Sequence, residues 1–192
     1  MLTIDNACVP GAVDIDISRA CSTGAPAQNN LGGLGPDSGS YLIRYAGVGT
    51  VNDQSIDLVV RATSQYASNR ASLRNGCNGM FGAIHTTSGT SVDLAFAFET
   101  ASGAPVTLPA FQFSFLDMDQ FRDNQAIERV RVGGFSSYFL TDPSYVTYVD
   151  GVFSSSRWGT GANNPTDPLT MTEDQRRYAA NVRFINTASF TV

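Results

Sequence analysis

Four acidic residues in this 192-residue chain have the type and spacing to do chemistry: Asp117, Asp119, Asp123 and Glu128. Asp117 and Asp119 stand two apart directly after the apolar run Phe111–Phe115, on a segment with no helical or strand period. At that spacing on irregular backbone, both can aim oxygens at one hard cation. Asp123, Glu128, Asn124 or backbone carbonyls would then complete the roughly 6–8 oxygens that calcium takes. The segment lacks the turn glycine and the closing glutamate of an EF-hand. A plainer reading has the same aspartates capping turns and pairing with Arg122, Arg129 or Arg131. A third reading takes Asp117 and Glu128 as the carboxylate pair of a glycosidase.

A second group surrounds the only tryptophan, in the polar stretch Ser154–Pro168. Trp158 with Arg157, Asn163, Asn164 and Asp167 suits either stacking on a sugar ring or anchoring a partner, because Trp and Arg dominate interface hot spots. The alternative is a Trp folded back over the domain. His85 is the only histidine and no G-x-S-x-G elbow occurs, so a hydrolytic triad has no material. His85 is expected to be a hydrogen-bonded residue at a strand end. No catalytic residue is assigned and no cofactor is expected. Any cation that binds should be calcium, held by Asp117 and Asp119 with Asp123 or Glu128.

Composition narrows the classes. All 12 basic residues are Arg, which removes Schiff-base and P-loop lysine chemistry. Net charge is −5, which argues against nucleic acid and anionic membranes as partners. No apolar run approaches the roughly 18 residues of a membrane helix. The three cysteines, Cys8, Cys21 and Cys77, fit no zinc spacing. Either all three are reduced small hydrophobes, or Cys8 and Cys21 are bridged and the compartment is oxidising. The first residues resemble no signal or transit peptide, so localisation is not readable from them.

The elements that must position these groups follow from period two. Ile56, Leu58 and Val60 alternate with Asp57 and Val59, and Leu94, Phe96 and Phe98 with Ala95 and Ala97. Phe111, Phe113 and Phe115 alternate with Gln112 and Ser114; Val13, Ile15 and Ile17 with Asp14 and Asp16. Alternation puts one set of side chains on a core face. The spacing predicts about a dozen strands in an all-β fold: an antiparallel β-sandwich, jelly-roll-like. Residues 28–192 form its single domain and residues 1–27 an N-terminal segment packed on it. Phe96, Phe98, Phe113, Phe115, Val130, Val132 and Phe184 are the expected core. Gln28–Asp37 and Asn75–Gly79 read as irregular loops. Thr172 as N-cap with Gln175 three residues on predicts one short helix over Glu173–Ala179.

Several stretches together carry a resemblance: Asn29-Asn30-Leu31-Gly32-Gly33-Leu34-Gly35-Pro36-Asp37, Phe113-Ser114-Phe115-Leu116-Asp117-Met118-Asp119 with Glu128-Arg129-Val130, Gly161–Pro168, and Phe184–Phe190. Over residues 28–192 the chain resembles β-sandwich proteins of marine algae, among them the pyrenoid shell proteins of algal plastids. The resemblance implies a non-catalytic protein of the plastid stroma that tiles into a sheet around a carboxylase-rich compartment. No catalytic residue carries over. Apolar positions on both strand parities, Val59 beside Leu58 and the run Tyr138-Phe139-Leu140, agree with contacts between copies. The competing expectation is a secreted, calcium-dependent carbohydrate-binding module built on Asp117, Asp119 and Trp158.

Overall fold

The computed structural model describes residues 2–3, 13–122, 125–161 and 164–192. In chain order the strands are β1 (Leu2–Thr3), β2 (Gln28–Asn29), β3 (Leu42–Val51), β4 (Gln54–Ala62), β5 (Gly76–Asn78), β6 (Phe81–Ala83) and β7 (Leu94–Thr100). They continue with β8 (Leu108–Phe115), β9 (Arg129–Val130), β10 (Ser137–Leu140), β11 (Val146–Val149), β12 (Val152–Ser155), β13 (Ala180–Thr187) and β14 (Ser189–Thr191). Among the described residues three short α-helices interrupt them: α1 (Ser18–Cys21), α2 (Ala71–Arg74) and α3 (Glu173–Arg177).

One sheet runs β10-β13-β8-β1-β6-β5 and a second β14-β7-β4-β3-β2, with every strand pairing antiparallel. A third, small sheet runs β11-β12-β9. The all-β antiparallel architecture is thus the one the alternation predicts. The core forms where the two large sheets face each other. Phe96 and Phe98 of β7 meet Phe113 and Phe111 of β8 edge-on, at centroid distances of 5.4 and 4.9 Å, and Phe111 stacks on Phe184 of β13 at 4.9 Å. Edge-to-face pairs suit the ring quadrupole and fill volume densely. Of the expected core residues only Val130 is half-buried; the others are buried.

Several expectations need correction. Val13–Ile17 is not a strand. Ile15 makes a single bridge to Gly49, Asp16 N–H donates to Val48 O at 2.7 Å, and α1 follows directly. Its period two survives as burial: Ile15 and Ile17 are in the core and Asp14 is exposed. Gln28–Asp37 contains β2 and a 3-10 turn over Leu31–Gly33, and the middle of Asn75–Gly79 is β5. The bridged cysteines are Cys21 and Cys77, with Cα atoms 5.6 Å apart. Neither the reduced set nor the Cys8–Cys21 pair describes this. Packing of α1 against β6 carries Cys21 to the neighbouring β5, a contact between residues 56 apart that local spacing cannot reveal. Cys8 lies outside the described residues.

Val59 also finds its cover within the chain. It is fully buried on the outer face of β4, opposite Arg44 and Ala97. Over this face Arg44 bonds Asp57 at 2.8 Å and Glu99 at 3.3 Å, while Arg61 bonds Glu99 at 2.7 Å. Arginine stems shield the apolar side chain while their heads pair with buried carboxylates, so no second layer or neighbouring copy is needed there. α3 forms with the expected capping box: Gln175 N–H donates to Thr172 Oγ1, and Thr172 N–H to Gln175 Oε1. Among the described residues no helix is long and apolar enough to cross a membrane.

Candidate functional site

The strand β8 delivers the acidic segment. After Phe115 the chain keeps Leu116 buried, then turns at Asp117, whose φ of 62° is left-handed, a conformation Asp tolerates better than most residues. Met118 returns to the core and its N–H donates to Tyr178 O at 3.0 Å. Asp119, Gln120 and Phe121 then run beside the segment from Ala126 to Glu128: Phe121 N–H donates to Ala126 O at 2.8 Å and Glu128 N–H to Asp119 O at 3.2 Å.

Gln120 locks this ribbon to the Trp158 segment. It is buried, and its amide donates to Ser155 O at 2.8 Å. Its backbone accepts from Gly159 N–H at 3.3 Å and donates to Arg157 O at 3.0 Å. Ser155 adds a hydroxyl bond to Asp119 O at 2.6 Å, and Tyr178 Oη donates to Trp158 O at 2.9 Å. Gly159 is obligatory here, since a Cβ would collide with the Asp119 carboxylate.

These contacts enclose a pocket of about 480 Å³ whose walls include Asp119, Glu128, Phe121, Trp158 and Gly159. Phe121 is 63% and Trp158 47% exposed, so two aromatic side chains stand at the surface beside two carboxylates. Arg122 lies over the Trp158 ring at 5.4 Å, a cation–π contact. Glu128 is open to solvent through the pocket, yet the protein crowding it depletes its hydration and pushes its carboxyl up to about 7, helped by the charges of Asp119 and Asp117. Burial likewise raises Asp119. Asp117 is pushed up to about 6 by burial and then by Asp119, while a hydrogen bond from Asn164 opposes the shift.

Of the residues singled out in the sequence, Asp117, Asp119 and Glu128 thus form one electrostatic group. Asp119, rather than Asp117, shares the pocket with Glu128. Among the described residues no group of three or more His, Cys, Asp or Glu side chains is arranged to hold a metal ion. Asp123 and Asn163 lie outside the described residues. Trp158 belongs to the pocket, whereas Arg157 packs its guanidinium over Tyr145 at 4.4 Å and Asp167 accepts from Leu169 N–H at 2.8 Å. Asn164 bonds Asp117 and leaves its buried Oδ1 without a partner. His85 follows β6, with Nδ1 2.9 Å from Ser68 Oγ, and burial followed by the Arg74 and Arg70 charges lowers its pKa. Sequence reasoning missed Phe121, Gln120 and Gly159. Only Phe121 carried a signal, an aromatic inside a polar acidic stretch.

No protein-family model matches the chain, and no curated protein does. Among solved structures it is similar to the adhesin domain of PrgB from Enterococcus faecalis bound to DNA. That match has a TM-score of 0.46 and 18% identity, covering 78% of this chain. The chain spans 59% of that structure's length. The likeness is one of β-rich architecture.

Proposed function

We propose that this protein is a non-catalytic β-sandwich domain that binds a carbohydrate in the pocket between Phe121 and Trp158. The observation that carries the reading is the meeting of two exposed aromatic side chains with the carboxylates of Asp119 and Glu128 in one concave site. Aromatic faces pack against the C–H face of a sugar ring, and carboxylates accept hydrogen bonds from its hydroxyls. The Cys21–Cys77 bridge agrees with an oxidising, extracellular setting better than with a plastid stroma. The test is a glycan array followed by calorimetry of the best oligosaccharide, with and without calcium. Trp158→Ala and Phe121→Ala should each weaken binding by about tenfold or more, the scale of an aromatic hot spot. A calcium requirement lost in Asp119→Asn would place the cation at the acidic segment. Release of new reducing ends would replace binding with hydrolysis. Affinity unchanged in both aromatic variants would remove the pocket from the reading.

A second reading, self-assembly into a sheet-like lattice such as a pyrenoid shell, has one specific support. β10 is the last strand of its sheet, and it exposes Tyr138 and Phe139 without a charged residue between Ser136 and Thr141. Such an uncharged edge offers backbone groups to another chain. Sedimentation of a monomer at tens of micromolar, at low and moderate salt, would end this reading. Sheets or tubes in negative stain, lost in Phe139→Asp, would favour it.

A further inference from the structure

The outer face of the six-stranded sheet carries a groove of about 580 Å³ that shares no lining residue with the aromatic pocket. Strand parity builds it. Val182 points into the core and its partner Tyr138 leans on Phe153 of the small sheet, which leaves Ser137 opposite Arg183 and Phe139 opposite Asn181 on the outer side. α3 contributes Arg176 to the wall. Two guanidinium groups therefore line the groove, and no carboxylate does, in a chain whose net charge is −5. Among the described residues neither arginine has an ion-pair partner. Arg183 Nε is buried and has no hydrogen-bond partner. Beside it, Phe139 is 64% exposed.

We propose that this groove binds an anionic polysaccharide, with a sulfate or uronate group held by Arg183 and Arg176 and a sugar ring stacked on Phe139. The planar guanidinium fork matches the oxygens of a carboxylate or sulfate two at a time. The Ser137 hydroxyl stands beside it for a sugar hydroxyl, while the Asn181 amide is engaged by Ser114 Oγ and Phe139 O and holds the groove floor in place. A nucleic acid would need a run of phosphates neutralised, and an anionic membrane a broad basic surface; two arginines on an acidic chain provide neither. The inference stands independently of the pocket, since the two sites have separate walls.

The whole chain, wild type and Trp158→Ala, is titrated with dextran sulfate, polygalacturonate, uncharged dextran and inorganic sulfate. Both charged polymers should bind both proteins, more weakly as salt rises. Arg183→Gln should lower polymer affinity roughly tenfold to a hundredfold, the range for hydrogen bonds to a charged group. Arg176→Gln should lower it less, and Arg183→Lys should keep part of it. Phe139→Ala should weaken the polymers and leave inorganic sulfate unchanged. Wild-type affinity in Arg183→Gln with an unchanged circular dichroism spectrum would overturn the proposal. So would loss of binding in Trp158→Ala, equal affinity for inorganic sulfate per anion, or displacement of the polymers by vesicles of anionic lipid at equal charge.

Discussion

The crowded carboxylates of the acidic segment, Asp117 half-buried and Glu128 on the pocket wall, work against the fold at neutral pH. Asp117 and Glu128 hold their protons in the native state up to about 6 and 7, above the ordinary 3.8 and 4.5 of the unfolded chain. Between those limits the folded protein binds more protons than the unfolded one, so their contribution to stability falls as pH rises through that window and levels off above it. Asp117→Asn removes the charge and keeps a residue that tolerates the left-handed φ. The melting temperature of this variant minus that of wild type should be near zero at pH 4 and grow to a positive plateau above pH 7. A difference flat in pH would mean that Asp117 titrates normally. At the same site, Gln120→Ala should cost about 1–3 kcal/mol by stranding the buried Ser155 carbonyl. It should also loosen Trp158, which a drop in tryptophan fluorescence anisotropy decay time would report.

At the scale of elements, β8 pairs with β13, the β8 phenylalanines meet β7 across the core, and Phe184 of β13 meets Phe190 of β14. Phe113 touches Phe96, Phe115 and Phe190. Phe113→Ala should therefore cost roughly 3–5 kcal/mol in urea unfolding, the range for a buried aromatic truncated to Ala. A loss below about 1 kcal/mol would be that of a surface position. This pattern was legible because Phe111, Phe113 and Phe115 alternate with polar residues. So was α3, whose capping box is local chemistry. Turns with demanding geometry carry their signal too: Asp150-Gly151 joins β11 to β12 with both φ positive, as a two-residue hairpin favours. Ile15 and Ile17 alternate equally well, yet that segment runs past β3 with a single bridge. Periodicity reports which side chains are buried, not whether a neighbouring strand has free hydrogen-bonding groups.

For the whole molecule, the Cys21–Cys77 bridge ties the N-terminal segment to the edge of the larger sheet. Its partners lie 56 residues apart, so on chain-entropy grounds Cys77→Ser should cost about 4 kcal/mol. Chemical unfolding with and without reductant checks this: wild type under full reduction should match the variant, and an equal midpoint in all samples would contradict it. The aromatic pocket, built from the segments after β8 and β12, and the arginine groove on the outer face of the six-stranded sheet have separate sets of lining residues. Trp158→Ala and Arg183→Gln should accordingly affect their ligands independently.

Residue order alone determined the all-β class, most of the strands, the phenylalanine core and the helix at Glu173, because alternation, capping and turn preference act within a few residues of chain. It also marked the acidic segment and Trp158 as places to look. What only the tertiary structure decided depends on contacts far apart in sequence. Gln120 brings the Trp158 segment against Asp119 and so makes one pocket of two separate motifs. α1 carries Cys21 to Cys77. The salt-bridged arginines cover Val59, and β10 pairs with β13 to line Phe139 up with Asn181 and Ser137 with Arg183. In each case the partner is chosen by sheet order and register, and these are set by the packing of the entire core rather than by neighbours in the chain.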